Sequence, residues 1–165
     1  MKTYYIFRHA RALHLGETYG DRILTAEILP EAKPPIERLA QFLKTRPVEE
    51  CYSSEILRCV QTSRIASKVL KKKFLPDARL NEFYVEQFPE FRDRVKRFWD
   101  EMEKSPAQHI VICTHGAVIG GLKNFLVKGE FEFDDLLDFP TSGVLLTIQN
   151  DHVEEKDFNA KENQI

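Results

Sequence analysis

Two apolar runs in this sequence end in histidine. Tyr4-Tyr5-Ile6-Phe7 leads into Arg8 and His9, and Ile110-Val111-Ile112-Cys113 leads through Thr114 into His115 and Gly116. A guanidinium presents a fixed fork of donors that matches paired anionic oxygens. A neutral imidazole carries a lone pair able to attack an electrophilic centre such as phosphorus. A third position belongs with these. In "YSSEILRCVQTS", residues 52–63, Arg58 falls about one turn into an expected helix that follows an expected strand. A cation there opposes the helix macrodipole unless an anion shares the site. Glu82, in "RLNEFY", is a carboxylate able to carry a proton, with Glu86 as its nearest rival.

Each piece alone has a plainer reading: a surface pair at a strand end, a hydrogen-bonded histidine, a solvated arginine, an exposed carboxylate. Together, two histidines and two arginines at three strand ends make a cationic pocket. The helix that follows His115 adds the backbone N–H groups of Gly116 and Ala117 to the same anion. Such a set suits phosphoryl transfer, where catalysis is mostly positioning and charge stabilisation.

The elements that must position these residues follow from periodicity. Tyr4 to Phe7 and Ile110 to Cys113 read as strands buried on both faces. Residues 10–34 are irregular, and Pro35 opens a helix whose apolar face is Ile36, Leu39, Ala40 and Leu43. Pro47 ends it. Val48 to Tyr52 is a short strand, Ser53 and Ser54 are candidate caps for a helix over 55–71, and 74–82 is extended. Pro89 begins a helix with Phe91, Val95, Phe98, Trp99 and Met102 on one face. Residues 117–128 are helical with Gly129 as the stop, Val144 to Ile148 is a strand, and a turn at Asn150-Asp151 leads to a last edge strand ending near Phe158. The polar tail "NAKENQI" is expected to fray. Strands that alternate with helices predict a three-layer α/β/α sandwich with a mostly parallel central sheet and an antiparallel edge strand. Ligands in such sheets sit beyond the carboxyl ends of the strands, where His9 and His115 fall.

Bulk properties are consistent with this. A chain of 165 residues suits one domain, 1–165, with its own core. A net charge of −2 gives no chain-level signal for nucleic acid. Cys51, Cys59 and Cys113 lack metal-like spacing and read as free thiols in a reducing compartment. With no leader-like start and no run long enough to span a membrane, the expected location is the cytoplasm.

The order of Arg8-His9, "SSEILRCVQTS" with Arg58, "LNE" with Glu82 and "THG" with His115 resembles the histidine phosphatase superfamily, the phosphoglycerate mutase-like family marked by an Arg-His-Gly motif. The likeness runs from residue 4 to about 148. It implies that His9 is phosphorylated during turnover, that Arg8, Arg58 and His115 hold the phosphoryl group, and that Glu82 is the proton donor. Two departures matter. Ala10 replaces the motif's glycine, a mild intrusion, and Arg11 adds a third cation that would favour substrates with a second anionic group. Only 32 residues separate Glu82 from His115, so the cap, 82–109, should be short and the pocket open.

The resemblance implies a phosphomonoesterase acting on small phosphorylated metabolites, with no cofactor and no metal, since the five histidines show no ligand spacing. Three alternatives stay open: a mutase-type phosphotransferase, a protein phosphohistidine phosphatase, and a non-catalytic phospho-ligand module. Thr141-Ser142-Gly143 reads as a loop lining the pocket rather than a nucleophile. The sequence is silent on oligomeric state.

Overall fold

The computed structural model describes residues 2–13, 19 and 22–159. The last six positions of the polar tail lie outside the described residues. Six strands form one sheet: β1 (Thr3–Arg8), β2 (Glu50–Ser53), β3 (Phe74–Pro76), β4 (His109–Thr114), β5 (Val144–Gln149) and β6 (His152–Asp157). Their order is β3-β2-β4-β1-β5-β6. β1, β4, β2 and β3 pair in parallel, β5 pairs antiparallel with β1, and β6 closes the edge antiparallel to β5.

Four helices cover the two faces: α1 (Lys33–Lys44), α2 (Leu57–Leu70), α3 (Phe88–Lys104) and α4 (Gly116–Lys128). Alternation along β1 makes the division visible. Tyr4 and Ile6 pack with Phe91, Phe98 and Ile119 of α3 and α4, while Tyr5 and Phe7 pack with Leu39, Leu43 and Ala66 of α1 and α2. Successive side chains on a strand face opposite ways, so a strand apolar throughout needs a cover on each side.

This layering locates the crevice. β1 and β4 are neighbours, yet the chain leaves β1 toward the α1–α2 face and leaves β4 toward the α3–α4 face. The connections diverge above these two strand ends, the point in such sheets where ligands sit.

Several boundaries differ from the sequence expectation. α1 starts at Lys33, after a 3₁₀ turn at Pro30–Ala32, with Pro34 and Pro35 in its first turn. The extended stretch from Phe74 stops at Pro76, because the Asp77 carboxylate accepts from Arg79 N at 2.9 Å and turns 78–80 into a 3₁₀ helix. Ser53 and Ser54 are not the N-cap of α2, which is Ile56; Ser54 Oγ accepts from Ile56 N at 3.1 Å, and among the described residues no side chain caps the first turn itself. A 3₁₀ helix at Phe133–Leu137, closed by reciprocal Glu132 and Asp135 contacts, had no signal in the apolar periodicity. Gly129 terminates α4 at φ 82°, and Asn150 turns β5 into β6 at φ 57°, both as expected. Among the described residues no helix is long and apolar enough to cross a membrane.

Candidate active site

Strand register brings the two histidines together. Arg8 of β1 lies opposite Thr114 of β4, so the next residue on each strand is His9 and His115. Neighbouring strands run about 4.8 Å apart, and the two imidazole centroids are 5.3 Å apart. His9 N donates to Thr114 O at 3.1 Å, which continues the ladder one step past the strand ends. Both rings are buried, at 1% and 0% exposure.

The His9 ring is held in one tautomer. Nδ1 lies 2.8 Å from the carbonyl of Ala10, an acceptor, so Nδ1 carries the hydrogen. Nε2 then holds the lone pair, and Arg58 Nε donates to it at 3.2 Å. Burial pushes the His9 pKa well below the ordinary imidazole value, and Arg8 and Arg58 push it further. The result is a neutral imidazole with a lone pair aimed into the crevice.

Arg58 is fully buried at the second position of α2. Its other nitrogens donate to the Glu82 carboxylate at 3.1 Å and to the Ile23 carbonyl, and its guanidinium lies over the Tyr19 ring at 4.1 Å. Arg8 leans under the Phe139 ring at 5.3 Å, and its buried Nε has no hydrogen-bond partner among the described residues. An unsatisfied buried donor on a cation costs free energy unless an anion fills the gap.

His115 is linked on both sides. Nε2 lies 2.9 Å from Ser54 Oγ and 3.5 Å from Cys59 Sγ, while Nδ1 faces Glu82 Oε2 at 3.5 Å without a hydrogen bond. Burial is the main cause of its depressed pKa, with His9 and the arginines adding to it. Gly116 and Ala117 are the first two residues of α4, whose N-terminus has no side-chain cap. Their N–H groups have no partner within the helix. A Cβ at Gly116 would lie 2.5 Å from the Phe139 ring, so the ring can reach over Arg8 only because this position is glycine.

The two carboxylates separate clearly. Glu82 joins the cluster through Arg58. Glu86 instead sits in the fork of Arg94, 2.6 Å from Nη2 and 3.0 Å from Nε. Arg94 also donates to the carbonyls of Glu82 and Arg79 at 2.9 and 2.8 Å, so α3 pins the loop that carries Glu82.

The remaining candidates fare differently. Ala10 points away from the crevice: it is buried against Ala32 and Ile36, and its N–H is taken by Thr62 Oγ1 at 2.9 Å. The methyl group that replaces the motif's glycine therefore does not intrude. Arg11 is exposed, and its carbonyl accepts from Leu29 N at 2.9 Å; among the described residues, none of the bonds joining the cluster runs through its side chain. Ser142 is tied to the site through its hydroxyl, which donates to the His9 carbonyl at 2.7 Å.

Sequence reasoning missed Ser54, Cys59, Thr62 and Arg94. Only Ser54 carried a usable signal, since a serine one step beyond a strand adjacent to β4 must lie beside Thr114 and His115. Among the described residues no group of three or more His, Cys, Asp or Glu is placed to hold a metal ion.

A crevice built this way can bind a multiply charged oxyanion and attack its central atom. Similar folds are known. A candidate alpha-ribazole-5'-P phosphatase from Escherichia coli superposes with a TM-score of 0.77 at 15% identity, covering 97% of this chain and 98% of that one. A mycobacterial glucosyl-3-phosphoglycerate phosphatase gives 0.70 at 14% identity, covering 88% and 89%. A phosphoglycerate mutase from Bacillus anthracis gives 0.67 at 14% identity, covering 96% and 92%. No curated protein sequence matches the chain significantly. At these identities the superpositions speak for the fold alone. The sequence itself matches the family model described as histidine phosphatase superfamily (branch 1) over residues 4–87 and 84–161. Paired strand-end histidines, a buried Arg58 with Arg8 beside it and this near-complete match agree: the chain belongs to the histidine phosphatase superfamily.

Proposed function

We propose that the chain is a metal-independent phosphomonoesterase working through a phosphohistidine on His9. The observation that carries this reading is the His9 ring itself, neutral, with Nδ1–H committed to Ala10 O and the Nε2 lone pair accepting from Arg58, under the added charge of Arg8.

In the first step Nε2 attacks phosphorus and the bond to the ester oxygen breaks. Arg58 turns from the imidazole and the carboxylate to the equatorial phosphoryl oxygens. Arg8 Nε and the N–H groups of Gly116 and Ala117 supply further donors, and His115 donates from Nδ1 once the bound anion has drawn a second proton onto its ring. Glu82 must hold a proton at this stage and deliver it to the leaving oxygen. In the second step Glu82 takes a proton from water, the water oxygen attacks phosphorus, and the N–P bond breaks. The arginines supply the positive charge that a metal provides in other phosphoryl-transfer sites.

Hydrolysis is favoured over transfer because the segment 82–109 makes a slight cap. The apolar face of α3 is spent on the core, with Phe91, Val95 and Phe98 fully buried and Met102 nearly so. That leaves the loop before α3 as the part of this segment free to contact a substrate. A mutase must keep water from the phosphohistidine.

The test is phosphate release from a panel of small phosphomonoesters in chelator-treated buffer, by the parent chain and by His9→Ala. Release by the parent and none by the variant supports the reading. Isomer exchange between phosphorylated hydroxy acids without net phosphate release would favour a mutase instead.

A further inference from the structure

Two chain segments run out from the cluster, one past Glu82 and one ahead of Phe139, and both expose apolar side chains. Past Glu82, Tyr84 is 39% and Val85 86% exposed; ahead of Phe139, Phe133 is 60% and Leu137 83% exposed. The segments touch, since the Phe83 ring lies 6.5 Å from the Phe133 ring and Phe83 is anchored on Phe91 at 4.5 Å. They therefore form one ledge. Its two ends are tied to the site by short lengths of chain. Val85 is three residues from Glu82, at most about 11 Å along the backbone, and Leu137 is two residues from Phe139, at most about 8 Å. Phe139 is the ring that covers Arg8.

Val85 is the most unusual member. Its φ is 50°, a conformation that a β-branched side chain adopts only under constraint. The constraint is visible: Arg94 holds the Glu82 carbonyl on one side of Val85 and the Glu86 carboxylate on the other. The clamp that sets Glu82 in the cluster also pushes an isopropyl group out to solvent beside it.

We propose that this ledge binds the alcohol portion of the substrate, and that the preferred phosphomonoesters carry an apolar alkyl or aryl leaving group. The proposal rests on the phosphatase reading and names the substrate class of that same site. Continuity with the phosphoryl crevice is what selects this occupant. Four side chains expose roughly a few hundred Å² of apolar surface, against the roughly 800 Å² per partner of a stable protein interface.

The experiment compares kcat/KM for ethyl, butyl and hexyl phosphate, with a phosphorylated carboxylic acid of similar size as the charged comparison. Burying a methylene completely is worth about fourfold, so a half-open ledge should give about twofold per methylene, or about 16-fold from ethyl to hexyl. Leu137→Ser and Val85→Ser should each cut the hexyl-to-ethyl ratio by about threefold or more. Leu75→Ser, an exposed leucine on β3 away from the ledge, should leave that ratio unchanged. Phosphate release with no chain-length dependence, or a preference for the charged comparison, would overturn the proposal while the phosphatase reading stands. Absence of release from any ester, aryl esters included, would overturn both. Self-association abolished by Leu137→Ser, with a flat chain-length series, would assign the ledge to a second copy of the chain and overturn it as well.

Discussion

Lowering the pH from about 7.5 to about 5.5 should cost the folded chain up to roughly 3 kcal/mol through His9 and His115. Both rings are buried and both have pKa values well below the ordinary 6.5. In this range the folded state keeps them neutral, while the unfolded state takes up a proton on each as the pH drops through 6.5. The unfolded state binds more protons, so stability falls as the pH falls. For each ring the loss is at most RT ln(11/1.1), roughly 1 to 2 kcal/mol, because the unfolded histidine goes from about one-tenth to about nine-tenths protonated. The range stops above the region where ordinary carboxylates gain protons. Urea unfolding at a series of pH values, in phosphate-free buffers, measures the slope directly. His9→Gln should remove about half of it, whatever the variant does to stability at the higher pH. A stability that stays level across this range, or a His9→Gln slope equal to that of the parent, would refute the claim that the two imidazoles are held neutral by burial between arginines.

Other expectations concern activity. Glu82→Gln should slow hydrolysis of alkyl phosphates by about 100-fold or more and aryl phosphates much less, because an aryl leaving oxygen needs little protonation; the same pattern from Glu86→Gln, which would free Arg94 instead, would transfer the role. Ser54→Ala should lower kcat/KM by about tenfold, since its hydroxyl lies 2.9 Å from His115 Nε2 and helps set which ring nitrogen carries the hydrogen; Ser54→Thr should restore activity, and nitrogen NMR should show the His115 tautomer shift in the alanine variant alone. Gly116→Ala should displace Phe139 from Arg8, because its methyl would meet the ring at 2.5 Å; weaker inorganic phosphate binding by calorimetry checks this, and unchanged affinity would mean the ring position is irrelevant.

The fold was readable because the central strands are buried on both faces. A four-residue run such as Tyr4 to Phe7 has no polar alternation to mistake, and its two faces pack into the two separate cores. Arg58 was readable for an electrostatic reason: a cation in the first turn of a helix opposes the macrodipole unless an anion shares the site. The pairing of His9 with His115 needed more than periodicity, since it depends on β1 and β4 being neighbours in a register that no local pattern encodes. The choice of Glu82 over Glu86 likewise waits on Arg94, a residue on another element that captures one carboxylate and frees its neighbour's position. Two local readings failed where a side chain outcompeted propensity. Asp77 capped a turn inside an expected extended stretch, and Ser54, besides contacting Asn81 and His115, accepts from Ile56 N, one residue short of the first turn of α2. The motif's missing glycine looked like an intrusion because the direction of the Ala10 methyl, into the Ala32–Ile36 cluster, is a property of the folded loop alone.

The claim at the centre of this account is that phosphorus is bonded to His9 Nε2 between the two steps. Mixing the protein with a reactive aryl phosphate, quenching in alkali and mapping the modified peptide by mass spectrometry tests it directly. One phosphoryl group should be found on His9, more of it in Glu82→Gln, where loss of the base slows attack by water, and none in His9→Ala. Steady phosphate release with His9 unmodified at every quench time in both the parent and Glu82→Gln, or a phosphoryl group on any other residue, would contradict the account.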